Sequence, residues 1–465
     1  MEVGIYPSTA RHFQVTRCNQ CESPPCVYAC PTSAMFRRPD GIVDFDREAC
    51  IGCKACMAAC PYDAIYINPD NHSAEKCNFC THRIDRGMEP ACVVVCPTQA
   101  LIVGNLNDPT NEVSMAISKE RTNVRRPEKA TSPKVFYIGA SQFTLDATIP
   151  ERRGSTATSQ HAAHREKKDS SRPDKTFAAA LMAYGSSPRA PWDWRVSAYS
   201  WTKAISTGLL FVLAVLLLSG VEFEMKWHLA GSLLSGVFLA LTSAFLVSDL
   251  SHPLRFYYII TRPQWRSWLA RGAFILIGFG ICLAVYVIAV LLEDELLLKI
   301  VAWVASPIAL LGAVYTAFLL GESKGRDLWQ NPLLPALYAA EAIAAGAAVL
   351  AMLGLVIDTP TQNQNVISAI LACTALISGC LALSELIMPH PTRQAALAAA
   401  ALTKGPFALL YWASILLIAA GAAFALAGML TDQFHYASAG GFVVAVGLLS
   451  HTHAYIQAGQ YVPQS

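Results

Sequence analysis

Apolar and polar positions sort this chain into three unequal stretches. From about residue 196 onward, long apolar runs recur, each near the roughly 20 residues a helix needs to cross a hydrocarbon core. Eight such runs are predicted to span a membrane: about 197–219, 228–249, 271–292, 299–321, 333–357, 366–388, 405–430 and 435–457. The connections are short, which predicts antiparallel neighbours. An even number of spans returns both ends of the bundle to one side. Residues 1–110 read differently. Short strand-like runs at Gly41–Phe45, Ala64–Ile67 and Ala100–Val103 alternate with Pro- and Cys-rich loops, the pattern of small strands and single helical turns. Between the two regions, 111–195 carries one further strand-like run, Lys134–Ile138. It is followed by ERRGSTATSQHAAHREKKDSSRPDK, which has nothing to bury and reads as a solvated tether.

Composition supports this division. Of 465 residues, 54% are hydrophobic and 15% charged, too apolar for a soluble enzyme of this size. The net charge of +2 gives no footing for a nucleic-acid partner. Charge also bears on orientation. Connections on the side of the N-terminal domain carry Arg255, Arg262, Arg266, Arg271, Lys324, Arg326, Arg393 and Lys404. Those on the far side carry Lys226 and Lys299 among Glu222, Glu224, Glu293, Asp294, Glu295, Asp358 and Asp432. Lys and Arg concentrate on the cytoplasmic face. The expectation is a multi-pass protein of the bacterial inner membrane, with both termini and the N-terminal domain in the cytoplasm. Trp192, Trp194, Trp201, Trp265 and Trp268 stand where an interfacial aromatic belt is expected.

Cysteine usage adds the chemistry. Twelve of the 15 cysteines lie between Cys18 and Cys96. Cys282, Cys373 and Cys380 sit in apolar runs and read as small core residues. The first motif is Cys18-x2-Cys21-x4-Cys26-x3-Cys30-Pro31, the second Cys50-x2-Cys53-x2-Cys56-x3-Cys60-Pro61, the third Cys77-x2-Cys80-x11-Cys92-x3-Cys96-Pro97. The second is the bacterial ferredoxin run, in which three cysteines hold one cubane and the fourth, before Pro, holds its neighbour. Structural zinc favours two separated CxxC pairs instead. The rule assigns Cys18, Cys21, Cys26 and Cys60 to one [4Fe–4S] cluster, and Cys50, Cys53, Cys56 and Cys30 to a second. Cys77, Cys80, Cys92 and Cys96 would serve a third and fourth cluster with an incomplete ligand set; either they hold a third cluster in a non-standard way or, the favoured expectation, the native chain starts upstream of Met1. The fold class is thus an α+β ferredoxin-like iron–sulfur domain followed by an all-α eight-helix transmembrane bundle at 196–460.

The stretches CNQCESPPCVYACP, CIGCKACMAACPYDAI and CNFC…PACVVVCPTQAL resemble the four-cluster iron–sulfur subunits of polysulfide, dimethyl sulfoxide and formate oxidoreductases. Those subunits have one more Cys motif near the N-terminus. Asp249–Phe256 (DLSHPLRF), Gln264–Trp268 (QWRSW), Val314-Tyr-Thr and Trp329–Pro335 (WQNPLLP) resemble the NrfD/PsrC quinol-interacting membrane subunits. The resemblance implies up to four clusters, menaquinone or ubiquinone as membrane substrate, and a separate molybdopterin-containing catalytic subunit as partner. This chain would then be an electron-transfer and anchor subunit rather than the catalytic core.

A quinone site needs polar groups near the last cluster, and ionisable residues at or inside spans are candidates by default. They are Lys203, Asp249, His252, Arg255, Tyr315 and Glu322, with Glu341 and Glu385 as proton-relay candidates. The bland readings are a snorkelling lysine, helix-end ion pairs and a packing tyrosine. His451 and His453 are two apart and point to different faces, and His228 lies at the opposite side, so no haem is expected. Two other readings stay open: a component of a proton-translocating, alternative complex III-like quinol-oxidising assembly, and a non-catalytic metal-binding assembly or sensor protein.

Overall fold

The computed structural model describes residues 17–140, 142–146, 148, 190–221, 223–357 and 360–464, with four two-residue strands at Glu2–Val3, Ala10–Arg11, Glu151–Arg152 and Leu181–Met182. Those four pair as one small sheet in the order 10–11, 2–3, 181–182, 151–152. The remainder of the stretch read as a tether lies outside the described residues, as do Glu222 and Asp358 of the far-side charges.

The N-terminal domain is a repeat in miniature. Helix Pro25–Ala29 leads through Cys30-Pro31 into the hairpin of Met35–Arg37 with Val43–Phe45. Helix Ala55–Ala59 leads through Cys60-Pro61 into the hairpin of Ile65–Ile67 with Ala74–Lys76. The inward residues Met35, Val43, Ile65 and Ala74 join eight cysteines and alanines in one core. The third motif breaks the pattern. Ala100–Val103, expected as a strand, has no strand assignment, because no partner strand stands beside it among the described residues. Of Lys134–Ile138, only Tyr137–Ile138 forms a strand, paired with Thr122–Asn123.

Among the described residues, eight helices are long and apolar enough to cross a membrane, and they serve below as spans one to eight: Trp194–Leu218, Met225–Ser248, Trp268–Leu291, Glu295–Glu322, Leu334–Leu353, Thr361–Ile387, Ala408–Thr431 and Phe434–Tyr461. They pack as two four-helix bundles, spans one to four and spans five to eight, each closed by contact between its first and last span. Asp193 caps span one through Arg195 N at 2.8 Å, and Asp294 caps span four through Leu297 N at 3.0 Å. An additional helix, Arg393–Thr403, follows span six in the chain, is capped by Thr392 and packs its Ala-rich face chiefly against span eight and the turn at Asp327–Gln330. Its alanines merge with the neighbouring apolar runs in the sequence, so hydropathy alone hides it.

The two bundles join where spans one and five cross. A Cβ on Gly208 would stand 1.7 Å from the Ala342 carbonyl oxygen, and one on Gly346 would stand 2.2 Å from the Gly208 carbonyl carbon. Backbone therefore touches backbone, the close approach that small residues permit inside membranes. Lys203 and Glu341 each stand five residues before their crossing glycine, so each bundle sets one ionisable residue at matching depth.

Hydropathy did not reveal which side of a helix faces inward. Cys373 and Cys380, expected in the core, are exposed on span six, and Cys282 is half-buried. Cys373 and Cys380 share the outward stripe of Leu376, Ile377 and Ile387. Trp192, expected in the aromatic belt, is buried and stacks on Trp329 at 5.4 Å. Trp194 and Trp265 do face outward.

The crossing yields a direct test. Gly208→Ala should force spans one and five apart and cost about 1–3 kcal/mol, as overpacking of a tight contact does. Thermal unfolding in detergent should show a lowered midpoint. Gly278→Ala, whose Cβ would meet no atom within 4 Å, is the control and should leave the midpoint in place.

Candidate functional site

The cysteine loops adopt one shared shape. The residue before the second cysteine has positive φ in all three motifs: Gln20 (47°), Gly52 (70°) and Phe79 (61°). Only Gly52 announces this conformation in the sequence. The turn brings backbone N–H groups toward sulfur. Met35 N donates to Cys30 Sγ, and both Gly52 N and Ala74 N donate to Cys50 Sγ, each at 3.4 Å.

Two cavities result. One is lined by Cys30, Cys50, Cys53 and Cys56; the other by Cys18, Cys21, Cys26 and Cys60. Among the described residues, no three His, Cys, Asp or Glu side chains converge on a point for a single ion. The cysteines instead line the walls of a space, as a multi-iron group requires and a zinc ion does not. Desolvation pushes the Cys21 thiol up to about 11 and the Cys60 thiol up to about 12, and raises Cys26, Cys30, Cys53 and Cys56. Thiolates buried this way need cations among them, so the donor set fits [4Fe–4S] groups. Each cavity also has one lysine in its wall, Lys54 in the first and Lys76 in the second. Both lie within or beside the motifs, yet spacing rules do not flag them.

The third motif is open. Cys77 and Cys92 are exposed, Cys80 and Cys96 half-buried. Around them Val94, Val95 and Ile102 stand in solvent, Val95 at 74% exposure. The structure brings the first eight cysteines into two sets of four, and the last four line neither of these two cavities.

The Cys30–Cys56 cavity sits directly on the membrane bundle. Trp192 Nε1 donates to the Cys53 carbonyl at 3.2 Å, and Arg255 Nη1 to the Cys50 carbonyl at 3.0 Å. Lys54 Nζ reaches Asp249, 2.9 Å from Oδ1 and 3.1 Å from the carbonyl. His252 N donates to the Ile51 carbonyl at 3.1 Å, and its ring Nε2 lies 2.9 Å from the Asn71 carbonyl. Burial raises the Asp249 carboxyl above its ordinary range and lowers His252. Gly52 leaves no room for a Cβ against Ser251, nor does Gly325 against the carbonyls of Ala58 and Cys60. A second clamp runs through residues 125–131. Arg125 donates to the Gln464 carbonyl, Arg126 to Gln394, and Lys129 pairs with Asp327. Of the candidates, Asp249, His252 and Arg255 therefore meet the cluster loops rather than the bundle interior.

Lys203 and Tyr315 do meet inside the first bundle. Lys203 Nζ donates to Thr316 Oγ1 at 2.6 Å and to the Ala313 carbonyl at 2.8 Å. It lies over the Tyr315 ring at 4.3 Å and near Tyr338 at 5.7 Å. Gly272 makes room for the Tyr315 ring. Glu322 stands apart from them: its Oε2 accepts from Trp268 N at 3.0 Å and so caps span three. In the second bundle, Glu341 Oε1 lies 2.7 Å from His451 Nδ1. Glu385 binds Asn331 and lies 3.3 Å from the Tyr455 hydroxyl. His453 turns to Ser197 at 3.2 Å, and His228 to the Tyr286 hydroxyl at 2.9 Å. Tyr338, Tyr455 and Thr316 were missed in the sequence, where they read as ordinary residues of apolar runs.

Comparison with known proteins agrees with this division. The 4Fe-4S dicluster domain profile matches residues 9–106, and the polysulphide reductase, NrfD profile matches residues 183–464. The N-terminal part is 41% identical to a subunit of tetrathionate reductase from Salmonella typhimurium, over 29% of this chain and 61% of that one. It is 44% identical to a component of polysulfide reductase from Wolinella succinogenes, over 26% of this chain and 64% of that one. It is 33% identical to the arsenate respiratory reductase iron-sulfur subunit ArrB of a Shewanella species, over 29% and 78%. The chain thus spans less than two thirds of the first two relatives' length. With the second profile covering more than half of the chain and eight helices long and apolar enough to cross a membrane, the protein belongs to the NrfD polysulphide reductase family of multi-pass membrane proteins, with a 4Fe-4S dicluster domain fused ahead of it.

Proposed function

We propose that this chain is the electron-transfer and membrane-anchor subunit of a respiratory oxidoreductase, passing electrons between a molybdopterin-containing catalytic subunit and membrane quinone. The observation that carries the reading is the seam. The backbone of a cubane loop is bonded to the bundle through Trp192, Arg255 and Lys54–Asp249. No flexible joint separates metal from membrane there. The relatives' names, all parts of reductases and one of them an iron–sulfur subunit, support the same role.

In this reading Cys18, Cys21, Cys26 and Cys60 hold one cluster, and Cys50, Cys53, Cys56 and Cys30 hold the membrane-side one. When bound, the clusters supply one-electron transfers between partner and quinone. Lys54 and Lys76 place positive charge at the two cavities and favour the reduced, more negative state. Lys203, wedged between Tyr315 and Tyr338, offers N–H donors to a quinone oxygen, and the tyrosines give it a flat apolar wall. Asp249 holds Lys54 and so couples the cluster loop to the end of span two. Glu341 and Glu385 handle protons in the second bundle.

Orientation follows the rim charges. Arg262, Arg266, Arg271, Lys324, Arg393 and Lys404 are exposed on the cluster side, which supports a cytoplasmic placement of that side. Arg255 and Arg326 instead hold the cluster domain.

Three outcomes are expected. Cys53→Ala should lower the iron content by the four irons of one cubane and remove one cluster signal from the electron paramagnetic resonance spectrum; unchanged iron refutes the ligand assignment. Lys203→Ala should slow quinone-driven oxidation of the clusters by about a hundredfold, the loss of a hydrogen-bond donor at a reacting oxygen, with cluster signals intact. Alkaline phosphatase fused after residue 464 should be inactive in cells; an active fusion overturns the cytoplasmic orientation.

A further inference from the structure

Glu341, His451, Tyr455 and Glu385 come from spans five, eight and six and converge in the interior of the second bundle. All four are at least 95% buried. Glu341 lies 2.7 Å from His451 Nδ1, while His451 Nε2 has no hydrogen-bond partner although it is enclosed. A carboxylate that fixes one ring nitrogen settles the tautomer and leaves the other nitrogen to exchange a proton. An enclosed ring nitrogen without a protein partner calls for a ligand or water.

From His451 the groups lead outward. Tyr455, one helical turn on, stacks against the His451 ring at 6.1 Å. Its hydroxyl lies 2.8 Å from the Leu328 carbonyl and 3.3 Å from Glu385 Oε1. Glu385 binds Asn331, in the cluster-side turn after span four, and lies within electrostatic reach of His390. Toward the first bundle, Glu341 and Lys203 stand at matching depth on either side of the crossing of spans one and five, each five residues before its crossing glycine. The groups facing this set are Lys203 from span one, Tyr338 from span five, Tyr411 from span seven, and His390 and Asn331 from the cluster-side turns.

We propose that Glu385, Tyr455, His451 and Glu341 form a proton relay from the cluster-side surface to the quinone site at Lys203, with His451 as its exchanging group. The proposal rests on the quinone reading above. Reduction of one quinone takes two electrons and two protons. Two reduced [4Fe–4S] groups each give one electron, and the relay brings both protons from the side on which the clusters sit. In this arrangement a proton enters His451 at Nε2 and leaves from Nδ1 to Glu341, which faces the Lys203 side of the crossing.

The test uses the full chain in detergent, with clusters reduced by dithionite and reoxidised by menadione in a stopped-flow instrument. Tyr455→Phe and His451→Gln should each slow reoxidation about tenfold or more, enlarge the ratio of rates in H2O and D2O, and shift the pH profile, with cluster spectra unchanged. Glu341→Asp should recover part of the rate lost in Glu341→Gln. Wild-type rates, isotope ratio and pH profile in both Tyr455→Phe and His451→Gln overturn the relay. If a variant loses its cluster signals, the infrared pH-difference spectrum of the wild-type chain decides. A carboxyl band that titrates together with an imidazole band supports the dyad, and independent titration overturns it. If menadione fails to reoxidise the wild-type clusters, the quinone reading falls, and with it the relay's destination. The infrared arm then still reports whether the dyad exchanges protons.

Discussion

A thiolate buried away from water is tolerable only beside a cation, and that constraint organises the N-terminal half of this molecule. Two sets of four cysteines line two spaces, with one lysine in each wall and, in the Cys30–Cys56 set, N–H groups turned toward sulfur. The hairpins, the left-handed residue before each second cysteine, and the small residues of the intervening helices follow from closing a loop around such a group. The bundle then meets the outside of those loops, not their sulfurs. It binds the carbonyls of Ile51, Gly52, Cys53 and Cys50 and leaves the donor set untouched.

The membrane half is built on a different economy of contact. Lipid offers no hydrophobic gain for helix association, so close approach and a few enclosed polar pairs hold the spans. The Gly208–Gly346 crossing provides the first, and Lys203–Thr316, Glu341–His451 and the Ser206–Ser235 pair provide the second. Repetition of the four-helix unit sets one ionisable residue from each bundle, Lys203 and Glu341, at the same crossing. The chemistry assigned to the bundle therefore gathers at the seam between its halves.

Much of this was legible in the sequence, and the limits have physical causes. Metal-ligand spacing is local, so the motif rule names the same two sets of four cysteines that line the two cavities. Span number and rough limits follow from length and hydropathy, because the membrane demands both. Facing does not follow. A helix apolar all round carries no contrast between inside and lipid, so Cys373 and Cys380 read as core and Trp192 as belt. Asp249, His252 and Arg255 were legible as polar groups at a span end, but their partners are loop carbonyls and a loop lysine about 200 residues away, which no local pattern encodes. Ala100–Val103 has strand composition without a strand beside it, and composition cannot supply a neighbour. Tyr455 and Tyr338 were invisible because a tyrosine in an apolar run looks like packing until its hydroxyl is placed.

One apolar core holds Ala29, Ala55, Ala58 and Ala59 of the cysteine loops together with Leu337, Tyr338 and Tyr455 of the spans and Trp329 of the turn after span four. Neither half has a finished surface without the other. A chain whose loops have not closed around their metal presents the cluster-side end of its spans to water with that core exposed. Closure of the cysteine loops and closure of the cluster-side end of the bundle are therefore one packing event, and separating the two would leave apolar surface facing water on both.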